Sequence, residues 1–462
     1  MKKLRITLEP LNYSTDSLSL FESIKDLPKA ALLDSCHSEA GLGRYDILTA
    51  SPLKLDLPTV PSNASEKELI AYFDTLNQIA NEEIGISDEN CNDQPFVGGL
   101  LGFLDYDLGL PINKVSKHPK ISTQKKASAH LEGYCWAIIQ DHKKKTCVLA
   151  SLPSLEERIR VDILNRVRSH YSKPKKDSFR LLTPFKSNMN SSDYHDAFLR
   201  VKRYILEGDC YQINLAMQFE ASYEGDPWEA YKKLRTISAS PFSAYIQESP
   251  DTGILCLSPE RFLSFDRGDI KTSPIKGTRP RKPDPSEDDI QRMELLHSEK
   301  DRAENLMIVD LLRNDLGKVC IPGSINAESL LEVKSYSTIH HLVSTISGRL
   351  QEDKNIFDLI YGCFPGGSIT GAPKRRAMEI INELEPDSRS AYCGSVVYFS
   401  ANGRMDSNIA IRTLKYSKGK IACWGGGGIV ADSIWKEEYQ EIYHKIGPFL
   451  KGLNESFSSS DL

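Results

Sequence analysis

The sequence predicts an α+β fold on three observations: strand-like and helical runs are both abundant, they do not alternate strictly, and no repeat of short fixed period organises them. The 462 residues are enough for one large domain or two ordinary ones with a substantial core. A content of 40% hydrophobic and 26% charged residues is that of a globular chain.

Two parts follow one another. The first, residues 1–190, opens with strand-like material and has turn-rich stretches at 58–66 and 88–94. Within it Val97-Gly98-Gly99-Leu100-Leu101-Gly102-Phe103 predicts a buried strand whose glycines let another backbone come close. The basic, Ser/Pro-containing stretch 172–192 reads as a linker or long excursion.

The second part, residues 191–455, begins with N-cap candidates Ser191, Ser192 and Asp193. A helix follows over Tyr194 to Glu207, stopped by Gly208. Strand-like runs cover 242–247, 253–257 and 262–265. A long helix is expected from Asp288 to Asp315, strands near 395–399 and 409–416, and a closing helix from Trp435 to Leu450. A serine-rich tail ends the chain.

Several functions are disfavoured. A net charge of -5 argues against a nucleic-acid binder, and no apolar run is long enough to span a bilayer. The basic N-terminus lacks a following apolar stretch, so no signal peptide is expected. Ten scattered cysteines show no zinc spacing and read as reduced, buried thiols, which makes the cytoplasm the expected location.

Three constellations can carry chemistry. Asp301 and Glu304 share one helix face; Glu438, Glu441 and Lys445 share another. Acidic faces are usually only solvated, but two brought together repel unless a cation lies between them, and a hard ion such as Mg²⁺ suits oxygen ligands. The run Gly366–Lys374 resembles a phosphate loop, yet lacks its Gly-Lys-Ser/Thr ending, and Pro373 sits where a free N–H is needed. Pro373 suits the start of a helix instead, with the glycine turn offering N–H groups to an anion such as a carboxylate. Gly425–Gly428 is either a second place of close backbone approach or a flexible turn. Lys276 could be an ordinary surface residue; partial burial beside a cation such as Arg279 would instead free its amine as a nucleophile, with Glu260 able to protonate a leaving hydroxyl.

Together these residues resemble the chorismate-utilising family, which includes anthranilate, isochorismate, salicylate and aminodeoxychorismate synthases. The resemblance covers residues 191–450 through Ser258–Arg261, Pro274–Arg281, Arg302–Asn305, Arg313–Asp315, Gly367–Arg376, Tyr392–Ser395, Gly426–Ser433 and Glu438–Lys445. It reaches the first part more weakly through Leu32–Ser35 and Gly99–Asp105. Anthranilate synthases typically have alanine where this chain has Lys276, and the hydrating members use a lysine base where it has Gln212. The resemblance is therefore to the aminodeoxychorismate synthase branch.

That resemblance implies a four-layer αββα sandwich, two packed sheets flanked by helices. It implies amination of chorismate at C4, toward 4-aminobenzoate and folate, with Lys276 attacking C2 and Glu260 acting as acid. Glu304 and Glu441 would bind Mg²⁺, supported by Asp301 and Glu438. Thr278 and His341 would line the ring pocket, Tyr392 and Arg412 would hold the enolpyruvyl carboxylate, and Gly426, Gly427, Gly428 and Lys445 the ring carboxylate. Ser35, Tyr45, Pro241 and Phe242 would form a tryptophan pocket. No Gly-x-Cys-x-Gly nucleophile elbow is present, so the resemblance implies that a separate glutamine amidotransferase subunit delivers the ammonia.

Overall fold

The strand Gly99–Leu104 is buried at every residue and is paired on both edges, with Ser395–Ser400 on one and Ala129–Tyr134 on the other. Its glycines are there for the approach of those backbones. A Cβ on Gly99 would lie 2.1 Å from the Phe399 carbonyl oxygen, and one on Gly102 would lie 1.9 Å from that of His130. A strand of the first part is thus inserted beside a strand of the second. The same happens where Ala31–Asp34 pairs with Phe242–Ser249.

The computed structural model describes residues 3–36, 43–60, 64–87, 93–116, 129–169, 171, 178–336 and 339–458. These form two large antiparallel sheets, of 13 and 9 strands, each drawing strands from both sides of residue 190. One hydrophobic cluster runs from Ile6 to Leu453. Helices Ser191–Leu206, Pro227–Ile237, Lys374–Leu384 and Trp435–Phe457 pack on the larger sheet, while Pro285–His297 and Glu299–Leu316 pack on the smaller. The expected α+β sandwich of two sheets flanked by helices is what the chain forms.

Four local expectations need correction. The long helix from Asp288 to Asp315 is two helices that meet at Ser298, whose extended backbone (φ -63°, ψ 108°) breaks the first and caps the second through Asp301 N–H. The cap of the first long helix of the second part is Asn190, one residue earlier than expected; its side chain accepts from Ser192 and Asp193, and Asp193 answers it. The strand expected at 409–416 covers only Thr413–Ser417, because Arg412 before it takes a positive φ of 51°. Gly425–Gly428 is no flexible turn but part of the strand Lys420–Ile429, paired with Gln212–Glu224. The nine described cysteines are free and buried, as expected. Parts of the predicted turn stretches (61–63 and 88–92), of the linker (172–177) and of the C-terminal tail lie outside the described residues.

Candidate active site

Lys276 lies on the edge strand Ile275–Pro280, which pairs with the long strand Ile339–Arg349, Lys276 opposite Leu342. Its ammonium donates to the Ser368 carbonyl oxygen at 3.2 Å. Burial pushes the Lys276 pKa below its ordinary value, opposed by Glu304 and Glu260 and helped by Lys445. The cation that assists is Lys445, not Arg279, which is turned away to pair with Asp301 at 3.2 Å.

Glu260 sits just after the strand Thr252–Ser258 in the larger sheet and just before Arg261–Asp266 in the smaller, so the crossing point between the sheets carries it. It is 5% exposed. Burial raises its pKa to about 7, against the hydrogen bond from Ser368 and the charge of Lys276. A carboxyl that keeps its proton near neutral pH, beside a lysine that sheds one more easily, is an acid and a nucleophile prepared by the same low-dielectric enclosure.

The two acidic helices do meet. Burial raises the pKa of Glu304, with Lys276 and Lys300 opposing and Asp301 and Glu441 adding to the rise. Burial likewise raises Glu438, whose carboxylate accepts from Ser433 Oγ at 2.7 Å. Burial pushes Glu441 upward too, but Lys445, with Lys300 and Lys276, outweighs it and leaves the carboxyl below its ordinary value. Lys445 contacts Glu441 at 2.7 Å and Lys300 contacts Glu438 at 3.8 Å. Among the described residues, no three His, Cys, Asp or Glu side chains converge as a ready metal site. Asp301 pairs with Arg279 at 3.2 Å, and its charge adds to the rise of Glu304. Glu304 and Glu441 nevertheless fit Mg²⁺, which commonly takes one or two carboxylates and completes its shell with water and substrate oxygens.

Around this centre, Thr278 Oγ1 lies 2.9 Å from His341 Nδ1. Burial and the nearby Arg412 hold the His341 pKa down to about 4, so the ring is neutral at physiological pH, and its buried Nε2 has no hydrogen-bond partner among the described residues. Tyr392 is buried and stacked on Trp424, centroids 6.2 Å apart and planes 6° apart. Arg412 donates to Ser238 Oγ at 3.1 Å, and burial, with no carboxylate opposing it among the described residues, lowers its pKa. Gly426 and Gly428 form a floor with no side chain, and Lys445 donates to the Gly426 carbonyl at 2.9 Å. A neutral imidazole, a guanidinium facing no carboxylate among the described residues and a bare backbone floor suit a small polyanionic ligand.

The glycine segment contributes otherwise than expected. Gly367–Ile369 is a 3-10 turn, and Gly371–Ala372 pairs with the start of Gln212–Glu224. Lys374, far from cradling an anion, is buried and bound to Asp315 at 2.5 Å. What the turn brings to the site is Ser368, which touches both Lys276 and Glu260.

The chorismate binding enzyme family matches residues 40–451. This chain is a member of that family. It is 42% identical to aminodeoxychorismate synthase component 1 of Escherichia coli (strain K12), covering 98% of this chain and 100% of that one. It is 41% identical to the protein of the same name from Salmonella typhimurium, over 98% and 99%. Its structure superposes on anthranilate synthase component I from Streptococcus pneumoniae TIGR4 with a TM-score of 0.72 and 26% identity, over 96% and 92%.

This chorismate-binding enzyme has a second cavity, of about 430 Å³, and Ser35, Tyr45, Pro241 and Phe242 all line it. They meet because Ala31–Asp34 lies between Tyr45–Thr49 and Phe242–Ser249 in the larger sheet. Three residues at the active site escaped the sequence reading: Ser368, Lys300 and Ser433. Lys300 was findable, since it precedes Glu304 by one helical turn. Ser368 and Ser433 carry no such signal.

Proposed function

We propose that this protein converts chorismate and ammonia to 4-amino-4-deoxychorismate, as component I of an aminodeoxychorismate synthase. The observation that carries this reading is the pairing of Lys276 with Glu260 across Ser368. In the first step the free Lys276 amine bonds to C2 of the ring, the double bond shifts, and the C4–O bond breaks. Glu260 gives its proton to the departing hydroxyl, which leaves as water. In the second step ammonia bonds to C4, the double bond shifts back, and the C2–N bond breaks, returning its electron pair to Lys276. The new ammonium passes a proton to the Glu260 carboxylate, and both groups are restored.

Thr278 and His341 would bound the ring, Tyr392 and Arg412 would hold the enolpyruvyl carboxylate, and the glycine floor with Lys445 the ring carboxylate. Glu304 and Glu441 would hold Mg²⁺, which when bound supplies positive charge to a substrate carboxylate. The ammonia would come from glutamine through a separate amidotransferase subunit, in line with the component naming of the relatives. The cavity at Ser35 and Tyr45 is proposed to take tryptophan.

The deciding experiment supplies purified protein with chorismate, Mg²⁺ and ammonium at high pH. A C4-amino product without pyruvate is expected; anthranilate with pyruvate would sink the reading. Lys276→Ala should lose most of the amination, and mass spectrometry of trapped wild-type protein should show a chorismate-derived adduct that the variant lacks.

A further inference from the structure

Among the described residues, Arg389 is the one arginine buried outright, at 1% exposed. It lies between the helix Lys374–Leu384 and the strand Ser395–Ser400. A guanidinium taken out of water is costly unless its donors are met. Three separate segments meet them here. Nε and Nη2 donate to the two oxygens of Glu385, at 2.9 and 2.7 Å. Nη1 donates to the Ile369 carbonyl at 2.9 Å, and Nη2 to the Asn214 carbonyl at 2.6 Å. Glu385, buried as well, accepts the Ala216 N–H at 2.8 Å.

Each of these segments belongs to the wall of the active site. Ile369 follows Ser368, whose carbonyl receives Lys276 and whose hydroxyl bonds to Glu260. Asn214 and Ala216 are paired with Gly428 and Gly426 of the glycine floor. The Arg389 carbonyl accepts the Tyr392 N–H at 3.0 Å, and the guanidinium carbon lies 4.7 Å from the Tyr106 ring centroid. The turn itself is shaped from within, because Thr370 Oγ1 donates to the Gly366 and Gly367 carbonyls at 3.2 Å. Those bonds set its form. Arg389 ties the residue beside Ser368 to the rest of the site.

A planar guanidinium presents its donors in a fixed fork, so carbonyls from two segments and a carboxylate are held at once in one geometry. A lysine ammonium keeps the charge opposite Glu385 but gathers its donors at one point, and cannot hold the same three partners in place. Ser368 would then be free to shift. Its hydroxyl favours the ionised form of Glu260, so a weakened bond lets that carboxyl keep its proton to higher pH.

We infer that Arg389 is a positioning residue for the reaction, fixing Ser368 between Lys276 and Glu260. This rests on the amination reading above. It is tested with the full chain by steady-state rates of C4-amine formation, across neutral to alkaline pH, for wild type, Arg389→Lys, Ser368→Ala and the double variant. Arg389→Lys should lower kcat about tenfold or more, the scale of one hydrogen bond made by a charged group, with the KM for chorismate within about threefold. The alkaline limb of its kcat profile should move upward, as that of Ser368→Ala does. In the double variant the loss should fall well short of the product of the two single losses, because one residue acts through the other. Thermal unfolding checks that each variant is folded. If Arg389→Lys is not, Arg389→Gln with Glu385→Gln, which leaves no buried charge unpaired, replaces it under the same criteria. With an active wild type, either an unmoved alkaline limb or losses that multiply would overturn the role and leave Arg389 a packing residue. A wild-type protein that makes no C4-amine sinks the amination reading itself, and this role with it.

Discussion

At the scale of the residue, burial decides what Glu260 is. Its pKa of about 7 in the folded chain stands against an ordinary 4.5. A carboxyl raised on folding adds stability that is complete below pH 4.5 and is lost as pH rises through about 7. Between those limits the unfolded chain has released the proton and the folded chain still holds it. Glu260→Gln, which cannot ionise, should match wild-type stability near pH 4 and exceed it by about 3 kcal/mol at pH 8. Denaturant titrations of both proteins across that range check it; a pH-independent difference would mean that the carboxyl is not buried with its proton. The same variant should lose activity at every pH, since an amide gives up no proton. His341 shows the complementary effect: a ring held near 4 stays neutral and offers Nε2 without a charge.

At the scale of the element, the site depends on how segments are pinned. Ser298 divides two helices and sets where Asp301 and Glu304 begin their turn. Ser298→Ala should cost about 1 kcal/mol by loss of the cap, read from the unfolding midpoint in urea. The segment bearing Ser368 is anchored at its end by buried Lys374, bound to Asp315 and to the Cys363 carbonyl. Lys374→Met would leave Asp315, among the described residues, with the half-exposed Lys318 as its cation. A loss of about 3 kcal/mol or more is expected, because a buried charge without its partner is costly. A change below about 1 kcal/mol would show that the pair does not hold the turn. The two acidic faces and the lysine were legible because helical spacing and local motifs are contained in short stretches. The partners of Asp301 and Lys374 were not, since each contact joins residues whose separation in sequence carries no pattern.

At the scale of the whole molecule, neither sheet can be completed by one half of the chain. Gly99–Leu104 is paired on both edges, and the Cβ of an alanine at Gly102 would sit 1.9 Å from a backbone oxygen. Gly102→Ala should therefore prevent soluble expression or lower the melting temperature by more than 10 °C, about 3 kcal/mol or more. A fragment covering 191–462 would expose the edges of Phe242–Ser249 and Ser395–Ser400, which residues 31–34 and 99–104 cover in the full chain. It should aggregate or stay unfolded when expressed alone, judged by circular dichroism and gel filtration. Heating the intact chain should give one cooperative transition.

By itself the sequence determined the mixed class, most helices and strands, and the residue types of the site: Lys276, Glu260, the two acid pairs and the glycine floor. These are written in periodicity and in short motifs, whose physical cause is local. The tertiary structure alone decided what those residues become. Enclosure between two sheets raises Glu260 and lowers Lys276, and Lys445 rather than Arg279 assists that lowering. Strand pairing across residue 190 gathers Ser35, Tyr45, Pro241 and Phe242 around one cavity. Desolvation and long-range pairing depend on the whole packed chain, so no window of sequence contains them.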